Sequence, residues 1–136
     1  MLYQIDVDYG LENERICQSK IENFFNEKLK KMDYYNDFDY TNNNNNLLIE
    51  LKSRRCKITD YLDTMISISK INKAKKLVKN KNKNIQIYFF FYYIQNQLYY
   101  WKYDDTIILR IDNNCNYRGV RKPYAYIPTN LLTKIN

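Results

Sequence analysis

Histidine is absent from this chain. That removes Ser-His-Asp and Cys-His nucleophilic catalysis, imidazole acid–base work and His-based zinc sites. Chemistry falls to carboxylates, lysines, tyrosines or a metal held by oxygen ligands. The carboxylates that can converge are Asp39 and Glu50, the second within Ile49-Glu50-Leu51-Lys52. In an extended strand, residues i and i+2 share a face. Glu50 and Lys52 are then neighbours on one side, while Ile49 and Leu51 point to the other. A hairpin across the intervening Asn run brings Asp39 beside Glu50. Two carboxylates at one point with an ammonium beside them suit a divalent cation and a lysine that orients water. Asp37 lies two residues from Asp39, shares its face, and competes for the same role.

The elements that must position these groups follow from hydrophobic spacing. Residues 2–8 read as a short strand or irregular lead-in, and Asp8-Tyr9-Gly10 as a turn. Cys17, Ile21, Phe24, Phe25 and Met32 fall at helical spacing, which predicts a helix over 11–32, with Lys28, Lys30 and Lys31 in its last turn. Residues 37–41 and 47–53 read as paired strands. The run Asn42–Asn46 between them is a polar turn or a disordered tract. A second helix is expected from Asp60 as cap to about Lys79, with Leu62, Ile66, Ala74 and Leu77 as its stripe and Met65 alongside. Strands are expected at 85–93, 98–103 and 106–111, the first buried on both faces. A loop and a short helix at 130–135 complete the reading. The order is helix, hairpin, helix, hairpin and a further strand: an α/β fold with a mixed central sheet flanked by helices, in one domain over 1–136.

Composition bounds the rest. A hydrophobic share of 45%, with six Phe, fifteen Tyr and one Trp, supplies a core of ordinary size. No uncharged apolar run is long enough to span a membrane. The N-terminus lacks the basic and apolar regions of a secretory signal. Cys17, Cys56 and Cys115 are too scattered for a disulfide framework. Together these features predict an intracellular, reducing compartment and no membrane partner.

The net charge of +7 is unevenly placed. Residues 1–50 carry ten acids and five bases, whereas residues 51–136 carry five acids and seventeen bases. The densest block, 52–83, includes Lys52, Arg54, Arg55, Lys57, Lys70 and Lys73. Such a block suits phosphate neutralisation and a nucleic-acid partner. It also reads as a solvated face, because the abundance of Lys and Asn is what an A/T-rich coding sequence produces.

The succession of Asp39 and then Glu50-Leu51-Lys52 resembles the PD-(D/E)xK nuclease superfamily, whose core is restriction-endonuclease-like. That superfamily carries an acid on one strand and E-x-K on the next. Glu14 on the preceding helix and Lys70 on the following one match its accessory positions, so the resemblance spans about residues 10–80. The run Glu50-Leu51-Lys52-Ser53-Arg54, with Thr64-Met65-Ile66 and Lys70 downstream, is similar to small versions found in large DNA viruses. Phe38 stands where the name-giving Pro would be. E-x-K alone is uninformative in so lysine-rich a chain; its place at the end of an apolar strand, after an acid, gives it weight.

The resemblance implies a Mg²⁺- or Mn²⁺-dependent nuclease acting on DNA. Asp39, Glu50 and the Leu51 carbonyl would hold the ion, Lys52 would orient the attacking water, and Glu14 would support a second ion or its water. Arg54, Arg55, Lys57 and Lys73 would contact phosphates, and a homodimer would serve double-strand cleavage. Glu14 reads equally as a helix-start acid and Lys70 as a snorkelling stripe lysine. Tyr99, Tyr100, Trp101 and Tyr103 read first as core and second as a stacking platform. A non-catalytic nucleic-acid-binding or assembly module that keeps the nuclease core is the alternative. A structural protein whose basic face meets an acidic partner is a third.

Overall fold

The computed structural model of the chain describes residues 2–33, 37–80, 82–117 and 119–135. It is a mixed α/β fold consistent with a restriction-endonuclease-like core, as the sequence predicts. It opens with one long helix, α1 (Leu2–Phe25). The helix starts earlier than spacing suggests and runs through Gly10. Cys17 and Ile21, four apart, are fully buried, and Asn13 is the buried polar residue one turn before them. Asn26 ends it with a φ of 53°, a left-handed conformation Asn tolerates. Lys28, Lys30 and Lys31 therefore lie outside the helix, the last two in strand β1 (Leu29–Lys31). The Glu22 carboxylate fixes this reversal by accepting the Leu29 N–H at 2.8 Å.

Next come β2 (Tyr40–Asn42) and β3 (Leu47–Ser53), an antiparallel hairpin in which Tyr40 faces Ile49 and Thr41 faces Leu48. The Asn run is an ordered turn. The Asn42 side-chain oxygen accepts the N–H groups of Asn46 at 3.1 Å and Leu47 at 3.3 Å, and Asn45 takes a φ of 55°. The side chain thus replaces the backbone partner a tight turn otherwise supplies.

The helix expected from Asp60 divides in two. Residues Ile58–Asp60 form a 3₁₀ turn, closed by the Asp60 carboxylate on the Lys57 N–H at 2.8 Å. Strand β4 (Asp63–Ser67) follows, with alternating burial of Thr64 and Ile66. Helix α2 (Ile68–Lys79) begins only after Ser67. Leu62 is 89% exposed, so it is no part of a stripe. The β-branched Thr64 and Ile66 favour the pleated surface where period 2 holds. The helical stripe is confined to Ala74, which is buried, and the half-buried Ile71, Leu77 and Val78.

Strand β5 (Gln86–Tyr93) pairs parallel with β3, and β6 (Gln97–Lys102) returns antiparallel through a turn in which Gln95 and Asn96 have positive φ. Residues 106–109 are loop rather than strand. The tail is richer in strands than expected: β7 (Arg110–Tyr117) and β8 (Val120–Pro128) form a hairpin. A 3₁₀ turn (Thr129–Leu131) and β9 (Thr133–Ile135) replace the helix expected at 130–135. Two sheets result, one ordered β1-β2-β3-β5-β6-β9 and one ordered β4-β8-β7.

Residues of β3 and β5 alternate between two cores. Leu47, Ile49, Leu51 and Phe90 meet Cys17 and Ile21 of α1. Leu48, Ile87, Phe89 and Phe91 meet Ile66, Ala74 and Ile127, from β4, α2 and β8. Trp101 and Tyr103 are buried in this second core, so they are packing residues rather than a stacking platform. Cys17, Cys56 and Cys115 are all free thiols. Among the described residues, no helix is long and apolar enough to cross a membrane.

Candidate active site

The parallel register sets Leu48 beside Ile87, Glu50 beside Phe89 and Lys52 beside Phe91. Glu50 therefore points to the same side as the second core, and only 2% of it is exposed. A carboxylate there is costly unless something compensates its charge.

Two ammonium groups approach it. Lys70, from α2, places Nζ 3.3 Å from Glu50 Oε2, and Lys52 places its own at 3.9 Å. Neither is aligned as a hydrogen bond, and Oε2 has no hydrogen-bond partner among the described residues. Burial pushes the Glu50 pKa up to about 8, the neighbouring Asp39 adds to the rise, and Lys52 and Lys70 oppose it. Desolvation outweighs both lysines. The net rise corresponds to roughly 5 kcal/mol in favour of the neutral acid. Lys52 is about half exposed, so its attraction is screened by water.

Asp39 arrives where β2 and β3 part. Its N–H donates to the Ile49 carbonyl at 2.9 Å, continuing the ladder beyond the Tyr40–Ile49 pair. Its side chain then takes over from the backbone, with Oδ2 accepting the Leu51 N–H at 2.7 Å. The carboxylate is thus pinned at the opening of the two strands, next to Glu50. Asp37, the competitor, is directed elsewhere: its carboxylate meets Lys73 at 3.8 Å and is exposed, and its carbonyl accepts from Lys70 Nζ. The Lys70 ammonium, also over the Phe38 ring at 5.8 Å, bridges this bend to Glu50. Asp39, Glu50, Lys52 and Lys70 therefore come together from β2's leading bend, β3 and α2.

The remaining sequence candidates are elsewhere. Glu14 pairs with Lys31 of β1 at 2.5 Å, and its carbonyl accepts from the Tyr40 hydroxyl at 3.5 Å. It does not join Asp39 and Glu50; no group of three or more His, Cys, Asp or Glu side chains converges among the described residues. Arg54 is a clamp between the sheets. Its Nε donates to Thr64 Oγ1 at 2.9 Å and its Nη2 to the Met65 carbonyl at 2.6 Å, and its guanidinium lies 5.5 Å from the Phe91 ring centroid. Arg55 and Lys57 are exposed beyond the end of β3. The Arg54 clamp leaves no signal in the sequence because it requires β4, where spacing alone predicts helix.

The donor set fits a hard divalent cation. Asp39 and Glu50 offer carboxylate oxygens, one of them a buried oxygen lacking a hydrogen-bond partner among the described residues. Mg²⁺ is commonly held by one or two protein carboxylates plus waters, so a third acid is not needed. Such an ion would also relieve the cost of an ionised Glu50.

The sheet, the acid at the strand opening and the E-x-K strand define a PD-(D/E)xK nuclease-like protein. A family model described as "Phage putative PDDEXK endonuclease" matches residues 3–116, and the chain belongs to that family. No curated protein and no solved structure matches the chain.

Proposed function

We propose that this chain is a divalent-metal-dependent deoxyribonuclease that hydrolyses phosphodiester bonds. One observation carries the reading: a nearly fully buried glutamate, beside a second acid and two ammonium groups, with one carboxylate oxygen lacking a hydrogen-bond partner among the described residues. Asp39, Glu50 and the Leu51 carbonyl would hold Mg²⁺ or Mn²⁺, which when bound supplies Lewis acidity toward the phosphoryl group and acidifies water.

The chain's own groups do the positioning. Asp39 is fixed by the Leu51 N–H, which sets the direction of its carboxylate beside Glu50. Lys70 holds Glu50 from the α2 side. Lys52, with its stem on β3 and its ammonium half exposed, is the group that orients the attacking water and offsets charge on the phosphoryl oxygens. Arg55, Lys57 and Lys73 supply sequence-independent phosphate attraction, which weakens with salt. Glu14, paired with Lys31 and not converging with Asp39 and Glu50, is left out of this cation site. Double-strand cleavage by a chain of this size would call for two copies.

The test is cleavage of DNA in Mg²⁺ or Mn²⁺ by the wild type, Glu50→Ala and Lys52→Ala. Loss of cleavage in both variants is expected; equal activity in all three removes the mechanism. A second reading, a binding module that keeps the fold, draws on the absence of a third converging acid among the described residues. It predicts salt-sensitive DNA binding without Mn²⁺ binding that depends on Glu50.

A further inference from the structure

Helix α2, the loop 104–109 and strands β7 and β8 line a groove of about 210 Å³. Its apolar lining includes Ile71, Leu109 and the fully buried Ala125. Three further isoleucines of this lining face water instead of the core: Ile107 is 39% exposed, Ile111 49% and Ile108 96%. Single exposed apolar residues are ordinary, but three around one groove form a patch that needs a cover. The loop that carries Ile108 is held in shape. Asp104 Oδ1 accepts the Thr106 N–H at 2.9 Å and the Thr106 hydroxyl at 2.6 Å, and the Ile107 N–H donates to the Asp104 carbonyl at 3.2 Å. Two opposite charges, Lys75 and Asp105, line the same groove, and both are exposed with no ion pair among the described residues.

We propose that this face pairs with the same face of a second copy of the chain about a two-fold axis. Ile108 of each copy enters the groove of the other, and Lys75 of each meets Asp105 of the partner subunit. A two-fold contact needs a surface that complements itself, and this one carries both a knob and a groove, and both signs of charge. The groove is smaller than the roughly 300 Å³ at which small-molecule sites begin, so a protruding side chain suits it better than a free ligand. Nucleic acid is a poor occupant, because a phosphate chain would meet Asp105 and isoleucines rather than a run of cations. Strand β7 lies at the outer edge of its sheet, yet its ladder with β8 slips register between Asp112 and Cys115. Such irregularities discourage strand addition, so side chains rather than backbone make the contact. The pairing requires neither metal nor DNA and is independent of the nuclease reading.

The experiment is sedimentation velocity of the full chain at about 1 to 200 μM, in EDTA and without DNA. The wild type is expected to form dimers within that range. Ile108→Asp should weaken the dimer about a hundredfold, since two symmetry-related isoleucines lose their burial. Its melting temperature as a monomer should not change, because the side chain is exposed. Lys75→Asp and Asp105→Lys should each weaken the dimer about tenfold, by setting like charges against each other twice. An equimolar mixture of those two variants should dimerise as the wild type does, because each acid then faces a lysine across the axis. Mixing repairs nothing within one chain, so this step separates an intermolecular pair from an internal one. A wild type that stays monomeric throughout overturns the proposal and leaves the face to a different protein. A dimer untouched by Ile108→Asp also overturns it, as does a mixture that associates no more tightly than its components.

Discussion

Strand β3 has two sides of opposite character. Toward α1, Leu47, Ile49 and Leu51 are all buried among apolar neighbours. Toward α2, the series runs Leu48, Glu50 and Lys52, from buried apolar to buried acid to half-exposed base. Both sides come from one seven-residue strand, and alternation alone separates them. The dry side gains its free energy by removing apolar area from water, roughly 25 cal/mol per Å². The charged side gives part of that up, because a carboxylate is held where water is nearly absent. Apolar packing and buried charge are thus assigned to opposite faces of the same strand, and the register of the hairpin decides which side is which.

The largest expected effect tests the dry side. Phe90→Ala should destabilise the fold by about 3–5 kcal/mol, seen as a lowered denaturant midpoint. Phe90 is fully buried beneath α1, with its ring 6.1 Å from that of Phe25. A loss below about 1 kcal/mol would show that the α1 side is loosely packed and would break the contrast.

The next effect tests the charged side. Glu50→Gln should lower cleavage about 10³-fold, roughly 4 kcal/mol of activation free energy, with the fold intact. Arg54→Ala should cost about 1–3 kcal/mol of stability, since it leaves the Thr64 hydroxyl and Met65 carbonyl without this partner. It should lower cleavage less than Glu50→Gln does.

A smaller effect separates reactivity from stability in a single variant. The folded pKa of Glu50, about 8, is raised above its unfolded value, so the native state binds a proton the unfolded chain has released. Between about pH 4.5 and pH 8 that group's contribution to stability falls as pH rises. Glu50→Gln removes the falling term. Its stability relative to wild type should rise by roughly 3 kcal/mol from pH 5 to pH 8. Melting curves across that window check the sign. Mn²⁺ affinity of the wild type should rise over the same window, because the ligand must be deprotonated. The smallest change, about 1 kcal/mol, is expected for Asn42→Ala, whose side chain closes the hairpin turn. Hydrogen exchange of the Asn46 and Leu47 amides would report it.

The hairpin and the meeting of its charged side chains were legible because they are local. Asp39, Glu50 and Lys52 lie within fourteen residues, and β3 runs over 47–53 as alternation predicts. Lys70 was legible by its place on an apolar stripe, even though the helix carrying it starts at Ile68 rather than Asp60. The error at 60–67 has a clear cause. Leu62, Met65 and Ile66 fit a helical stripe by spacing, but β8 offers a neighbouring edge and takes Thr64 and Ile66 into a ladder. The tail strands were missed for the same reason: β7, β8 and β9 are short on apolar alternation and are made by pairing with partners distant in sequence.

By itself the sequence determined what could react, since a chain without histidine but with an acid before E-x-K leaves carboxylates and lysine as the reactive set. It also fixed which alternate residues of β3 share a side, because side-chain period in a strand is a property of the backbone. Only the tertiary structure decided that Glu50 is almost dry, that Lys70 comes closer to it than Lys52, and that Arg54 clamps two sheets. Those facts depend on which distant segments pack over the strand, and desolvation and through-space charge follow that packing rather than order along the chain.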